Sequence, residues 1–179
     1  MIDFEKLAEL AKQCGFTHIA PLNISKLEFM PEVREMCNPD QCKNYNTSWA
    51  CPPACAPLEQ LREKVNTYNY GLLVQTVSEI ADNYDWEGMM AAAELQKKNF
   101  ALLRKALKEK FSDVFAMGSG RCTLCETCTY PTDPCRKPNE IETSMEACGL
   151  FVSKVCRDNG LDYNYGTDNI AYTSCFFIK

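Results

Sequence analysis

The sequence predicts an α/β fold in which helices form a sandwich on a small mixed sheet, with two cysteine-rich loops inserted. Segments with helical and strand periodicity alternate along the chain, which is typical of this class. Two stretches without periodicity, residues 37–55 and 120–138, each hold four cysteines. A chain of 179 residues is long enough to bury a core, so we expect one domain over residues 1–179.

The regular elements of the first half are predicted from apolar spacing. Residues 4–14 are amphipathic and Gly15 suits a C-cap, which predicts the first helix. Residues 17–24 alternate as in a strand. Residues 57–65 begin with a proline suited to a first helical turn, and residues 71–77 are apolar and β-branched. We therefore expect helix, strand, cysteine loop, helix and strand in this order.

The second half begins with the longest periodic segment, residues 86–111, which predicts a helix with a basic outer face. That face is either simply solvated or a docking surface for an acidic redox partner. A short strand over residues 113–118 leads into the second cysteine loop. Residues 143–146 fit a capping box, which predicts a helix as far as Gly160. An apolar strand over residues 169–178 closes the chain.

Charge and hydropathy limit the possible functions. The net charge is −5 and the pI is about 5.0, which disfavours a non-specific nucleic-acid surface or an anionic membrane surface. No apolar stretch is long enough to span a bilayer, and the N-terminal segment is acidic and amphipathic, unlike a signal peptide. We therefore expect a cytoplasmic protein.

Twelve cysteines in a cytoplasmic chain suggest metal binding rather than a disulfide scaffold. Eight of them fall in the two loops. The four others lie singly in regular segments and are expected to pack in the core: Cys14, Cys148, Cys156 and Cys175. The only histidine, His18, alternates with apolar residues and is not expected to bind metal. The metal chemistry must therefore depend on thiolates.

The second loop has the more specific spacing. Cys122, Cys125 and Cys128 follow a C-x2-C-x2-C pattern, and Cys135 comes after six further residues. Such a loop can place one thiolate on each iron of a [4Fe-4S] cluster while backbone N–H groups face the sulfides. If a helix begins at residue 143, its positive end can also face this anionic cluster. Zinc and a redox dithiol are the alternatives.

The first loop is less diagnostic. Cys37, Cys42, Cys51 and Cys55 follow a C-x4-C-x8-C-x3-C pattern, which zinc tolerates as well as an iron–sulfur cluster does. A long aperiodic loop of this kind is rarely without function. The radical-SAM pattern C-x3-C-x2-C would require a cysteine where the chain has Leu58, which disfavours that enzyme class.

These motifs resemble a family of small cysteine-rich prokaryotic proteins described as predicted metal-binding proteins of unknown function. The resemblance covers nearly the whole chain and involves the following residues: Cys37, Cys42, Tyr45, Cys51, Pro52, Pro53, Cys122, Cys125, Cys128, Pro134, Cys135, Arg136, Pro138 and residues 144–147. The chain departs from the family pattern at Asn46, where a glycine is usual, and the family generally has no counterpart of Cys55. The resemblance implies metal binding. It implies three thiolate ligands in the first loop if Cys55 is not a ligand, and four if it is.

We expect two [4Fe-4S] clusters, one bound by Cys122, Cys125, Cys128 and Cys135 and one bound by Cys37, Cys42, Cys51 and Cys55. Electron transfer with a redox partner protein is then the expected role. One alternative is an enzyme, or an accessory to one, that uses an open iron in the first loop. Another is a zinc-stabilised interaction module without redox chemistry. No nucleotide-binding loop and no convincing acid–base pair is present in the sequence, and nothing in it indicates an oligomeric state.

Overall fold

The computed structural model describes residues 2–38 and 42–179. Within them the helices are α1 (Phe4–Gln13), α2 (Pro31–Glu35), α3 (Leu58–Val65), α4 (Trp86–Lys108) and α5 (Val152–Asp158). The strands are β1 (His18–Pro21), β2 (Tyr70–Glu79), β3 (Val114–Met117) and β4 (Asn169–Ile178). Positions 39–41, which belong to the first cysteine loop, lie outside the described residues.

The four strands form one sheet in the order β1-β2-β4-β3. Strands β2 and β4 pair over their whole length, from Tyr70 opposite Ile178 to Glu79 opposite Asn169. The α/β class is confirmed, but every pairing of these strands is antiparallel, whereas the sequence predicted a mixed sheet. The reason is that α4 connects β2 to β3 in the same direction, while β4 lies between them and runs the opposite way.

The side chains of β2 alternate between two apolar layers. Leu72 and Val74 face α1 and α4, in a core that includes Leu7 and Phe100. Leu73 faces the opposite layer, which contains α3, α5 and residues 144–150. The sheet therefore lies between two helical layers, as predicted. In the part of the chain that the structure describes, no helix is both long and apolar enough to cross a membrane.

The four cysteines outside the loops lie in or beside these layers. Cys148, Cys156 and Cys175 are fully buried and belong to the core on the α3 and α5 side. Cys14 is half-buried against the opposite core. The expectation that these cysteines pack as small hydrophobes is confirmed.

The predicted helix over residues 143–160 is wrong in its first half. Residues 144–149 form a tight turn in which the Ala147 N–H donates to the Ser144 hydroxyl (3.2 Å), and Gly149 reverses the chain with φ +77°. The Met145 N–H donates to the Gly118 carbonyl at 3.0 Å, so this turn is fixed to the end of β3. Helix α5 begins only at Val152. The expected helix dipole close behind Cys135 is therefore not present.

Candidate metal centre

The second cysteine loop begins where β3 ends. The Gly118 N–H donates to the Thr143 carbonyl at 2.9 Å, which fixes the entry into the loop, and Gly120 turns the chain with φ +69°. All four predicted ligands line one small cavity of about 30 Å³: Cys122, Cys125, Cys128 and Cys135. The fold therefore brings together four thiols that are spread over fourteen residues of the chain.

Backbone N–H groups point at the sulfur atoms of this cavity. The Lys137 N–H donates to Cys135 Sγ at 3.4 Å. Partial burial tends to raise the pKa of Cys128, but hydrogen bonds from the backbone of Tyr130, Trp49 and Thr129 lower it below its ordinary value. Such donors stabilise a thiolate, which is the form that binds metal.

The basic residues of the second loop hold its own backbone. The Arg136 guanidinium donates to the Thr127 carbonyl at 2.8 Å, and Lys137 Nζ donates to the Leu124 carbonyl at 3.4 Å. These contacts keep two positive charges beside the cysteine cavity, because each side chain reaches back across the loop. A negatively charged centre in that cavity is therefore electrostatically favoured.

The first cysteine loop forms one wall of the same cavity through Ser48, Trp49 and Ala50. The Trp49 indole N–H donates to the Asp133 carbonyl at 3.1 Å, and its ring meets that of Tyr130 edge to face at 5.0 Å. The Tyr130 hydroxyl also donates to the side-chain oxygen of Asn46. The two loops are therefore in direct contact, which the sequence alone did not indicate.

Three cysteines of the first loop line a second, larger cavity of about 350 Å³: Cys37, Cys42 and Cys51. Two of these cysteines are held by local backbone hydrogen bonds. The Cys42 N–H donates to the Asn38 carbonyl (2.9 Å), and the Cys51 N–H donates to the Ser48 carbonyl (3.2 Å). Tyr45, one of the residues that carry the family resemblance, also lines this cavity. The first loop thus presents three thiols to one space.

Cys55, the fourth predicted ligand of the first loop, is placed differently. It is only 6% exposed and is not part of the cavity wall. Its thiol donates to the Ala147 carbonyl at 3.7 Å. Burial raises its pKa, against the opposing effect of the nearby Arg34 guanidinium. The structure therefore places Cys55 behind the wall, next to the turn that follows the second loop.

The pKa values of two cysteines in the first cavity are raised. Burial, together with the neighbouring Cys42 and the Glu146 carboxylate, raises the pKa of Cys37 to about 11. Burial also raises the pKa of Cys51, although a hydrogen bond with Ser48 opposes this. A bound cation reverses this tendency, because it deprotonates the thiols that coordinate it. Within the described residues, no three His, Cys, Asp or Glu side chains form a group suited to a single metal ion.

Arg34 is a structural residue of the site that was not identified from the sequence. Its Nε–H donates to the Ala147 carbonyl at 2.7 Å, and a terminal N–H donates to the Ala56 carbonyl at 2.8 Å. It thereby connects α2, the end of the first loop and the turn over residues 144–149. Its position one helical turn before Cys37 is the only signal in the sequence, and that signal is weak.

Three polar residues of the first cavity also come from distant parts of the chain. Arg121, which directly precedes Cys122 of the second loop, lines the first cavity together with Glu146 and Tyr163. His18 lies elsewhere, half-exposed, with its ring 4.6 Å from that of Tyr165. His18 is therefore not part of the lining of either cysteine cavity.

Comparison with known proteins gives one match. A family model described as "Predicted metal-binding protein (DUF2284)" matches residues 20–178. No curated protein matches the chain, and no solved structure does.

Proposed function

The chain belongs to this family of predicted metal-binding proteins, and from that premise we propose that its metal is iron, held as two [4Fe-4S] clusters that transfer single electrons. One cluster is assigned to Cys122, Cys125, Cys128 and Cys135. The other is assigned to the first cavity, with thiolates from Cys37, Cys42 and Cys51. The proposal includes a cytoplasmic location, where thiols remain reduced and free for metal.

The observation that supports the proposal most strongly is that four cysteines of the second loop share one cavity, which the first loop closes. Four thiolates around one space match the ligand set of a cubane cluster. A cluster with a thiolate on every iron has no free position for a substrate, so its chemistry is one-electron transfer. The donors to Cys128 and Cys135 and the charges of Arg136 and Lys137 favour the reduced, more negative state.

Contact between the loops supports a role for two centres acting together. Cys51 of the first loop interacts electrostatically with Cys122 of the second, and Trp49 lies against the second loop. Electrons can therefore pass between the two sites through a few packed residues. A redox partner protein must supply or accept them, and we assign it an acidic surface.

The choice of an acidic partner follows from the charges on α4. Lys97 and Arg104 are used within the protein, because Lys97 Nζ donates to the Arg121 carbonyl (3.1 Å) and Arg104 pairs with Glu142 (3.6 Å). Lys98, Lys105 and Lys108 are exposed on the same helix. These three positive charges are free to attract an acidic protein beside the second loop.

The test is the iron and acid-labile sulfide content of protein purified without oxygen, with its visible spectrum. We expect about eight irons and eight sulfides per chain and a brown protein. Cys125→Ser removes about four of each, whereas the matched control Cys14→Ser, outside both loops, removes none. A colourless protein that contains zinc contradicts the proposal.

A further inference from the structure

We propose that the first cavity is a binding site for a small carboxylate-bearing molecule, which Arg121 holds beside a cluster bound by only three cysteines. This inference rests on the proposed cluster in the first loop. It assigns that site a ligand and gives Cys55 a structural role. The second loop, with four cysteines around its cavity, has no such vacancy and remains an electron-transfer centre.

The position of Cys55 is the first observation that leads to this inference. Its thiol donates to the Ala147 carbonyl at 3.7 Å, and Arg34 Nε–H donates to the same carbonyl at 2.7 Å. Cys55 is thus part of a buried hydrogen-bonded connection between the first loop and the turn over residues 144–149. It can bind a cluster in the first cavity only if that connection breaks.

The shape and lining of the cavity are the second observation. The cavity of about 350 Å³ has to hold both the cluster and the ligand, so only a small molecule fits beside the cluster. The lining of the cavity includes the apolar residues Met36, Phe151 and Val152, of which only Val152 is buried. It also includes the polar residues Arg121, Glu146 and Tyr163, which are exposed, so the cavity is open to solvent at these residues. Apolar walls with a few converging polar groups are typical of sites for small organic molecules.

The charges of Arg121 and Glu146 indicate the chemical class of the ligand. Neither Arg121 nor Glu146 forms an ion pair with any residue that the structure describes. The charge of Arg121 acts on the neighbouring Cys51 thiol, and with no carboxylate paired to it among the described residues its planar guanidinium can bind that of a ligand. Glu146 can accept a hydrogen bond from a hydroxyl or amino group of the same molecule. A small hydroxy acid or amino acid with an apolar side chain can contact Arg121, Glu146 and the apolar residues at once.

Three thiolates leave one iron of a [4Fe-4S] cluster without a cysteine ligand, and such an iron supplies Lewis acidity. The residues of this chain contribute orientation and selectivity. Arg121 fixes the carboxylate, Glu146 fixes the neighbouring polar group, and Met36, Phe151 and Val152 contact the apolar body of the ligand. A neutral molecule of the same size lacks the first of these contacts.

The role of Cys55 is tested by iron content. We expect Cys55→Ser to retain about eight irons per chain, whereas Cys51→Ser, a change of the same type four residues earlier, retains about four. Loss of about four irons in Cys55→Ser, with a circular dichroism spectrum like that of the unmodified protein, overturns the inference. An unmodified protein without iron contradicts the proposed function instead, so the two failures are distinguishable.

The ligand site is tested on the unmodified protein, so that the result does not depend on the folding of the Cys55 variant. The probes are 3-mercaptopropionate, which carries a thiolate donor and a carboxylate, and 2-mercaptoethanol, which lacks the carboxylate. Each is titrated into the reduced protein while the electron paramagnetic resonance spectrum is recorded. We expect the charged probe to change the cluster signal at a concentration about tenfold lower, because of its contact with Arg121.

Two variants identify the source of that difference. Arg121→Gln removes the advantage of 3-mercaptopropionate, while the cluster signal itself remains. Cys51→Ser abolishes the response to both probes, because the first cluster is lost. The inference is wrong if neither probe changes the signal of the unmodified protein, or if the preference for the charged probe survives in Arg121→Gln.

Discussion

The indole N–H of Trp49 donates to the main-chain carbonyl of Asp133 at 3.1 Å, so the first cysteine loop is bonded directly to the second. The contact joins segments that are 84 residues apart in the chain. The Tyr130 ring adds an edge-to-face contact at 5.0 Å. The candidate metal centre is therefore a single structural unit, and a change in either loop affects the other.

The contribution of Trp49 to stability can be separated into its bond and its ring. Trp49→Phe keeps an aromatic ring but loses the hydrogen bond, and we expect a loss of about 1 kcal/mol. Trp49→Ala also loses the aromatic pair and part of the packing, so we expect about 2 to 3 kcal/mol. Thermal unfolding followed by circular dichroism without oxygen measures both. Trp86→Ala is the control, because Trp86 is 72% exposed, and a loss as large as that of Trp49→Ala would contradict this interpretation.

Contact between the loops predicts a magnetic interaction between the two proposed clusters. We expect the fully reduced protein to show an electron paramagnetic resonance spectrum broadened by coupling between two paramagnetic centres. In Cys125→Ser, which lacks the second cluster, the broadening disappears and a simpler signal of the first cluster remains. If the fully reduced protein contains two clusters but its spectrum equals the sum of two isolated centres, the clusters do not interact as the contact at Trp49 predicts.

The sequence predicted the sheet and the helical layers well, because each depends on local apolar spacing. The predicted strand over residues 169–178 has the same first and last residues as β4. The helix predicted from residue 86 begins at the same residue as α4. The direction of the strands was not predictable in this way. It depends on the insertion of β4 between β2 and β3, which no local pattern encodes.

The candidate site was predictable only where cysteine spacing determines it. All four cysteines of the second loop line one cavity, which agrees with their spacing. The capping box at residues 143–146 predicted a helix that does not form, because burial of Met145 and Cys148 and the bond to Gly118 favour a tight turn. Arg121 is adjacent to Cys122 in the sequence, yet tertiary structure places it in the lining of the first cavity.

Arg34 is expected to stabilise the first loop through two charge-assisted bonds to carbonyl groups. Arg34→Lys cannot make both bonds, because an ammonium group lacks the planar arrangement of donors. We expect a loss of about 2 to 3 kcal/mol and fewer than eight irons per chain, with the second cluster retained. Urea unfolding without oxygen and iron analysis measure these effects.

The matched control for Arg34→Lys is Arg62→Lys. Arg62 pairs with Glu59 at 3.3 Å on the exposed surface of α3, where such a pair contributes about 0 to 1 kcal/mol. We expect this variant to keep its iron and nearly all of its stability. Equal losses in the two variants would show that any arginine replacement is harmful and that the bonds of Arg34 have no special role.

Alanine replacements at two glycines with nearly the same backbone conformation can distinguish the cost of steric contact from the cost of backbone strain. Gly149 has φ +77° and Gly160 has φ +78°, so alanine is strained at both, by about 1 kcal/mol. At Gly160 a Cβ atom meets nothing within 4 Å, but at Gly149 it would lie 2.9 Å from the Met30 carbonyl oxygen and 2.9 Å from Leu58 Cδ2. The Met30 N–H also donates to the Gly149 carbonyl at 2.8 Å, so the two backbones cannot easily separate.

We expect Gly160→Ala to cost about 1 kcal/mol and Gly149→Ala at least about 3 kcal/mol in urea unfolding. Equal costs at the two positions would show that the turn over residues 144–149 moves freely, and the connection between Cys55 and Ala147 would then not hold the first loop in place.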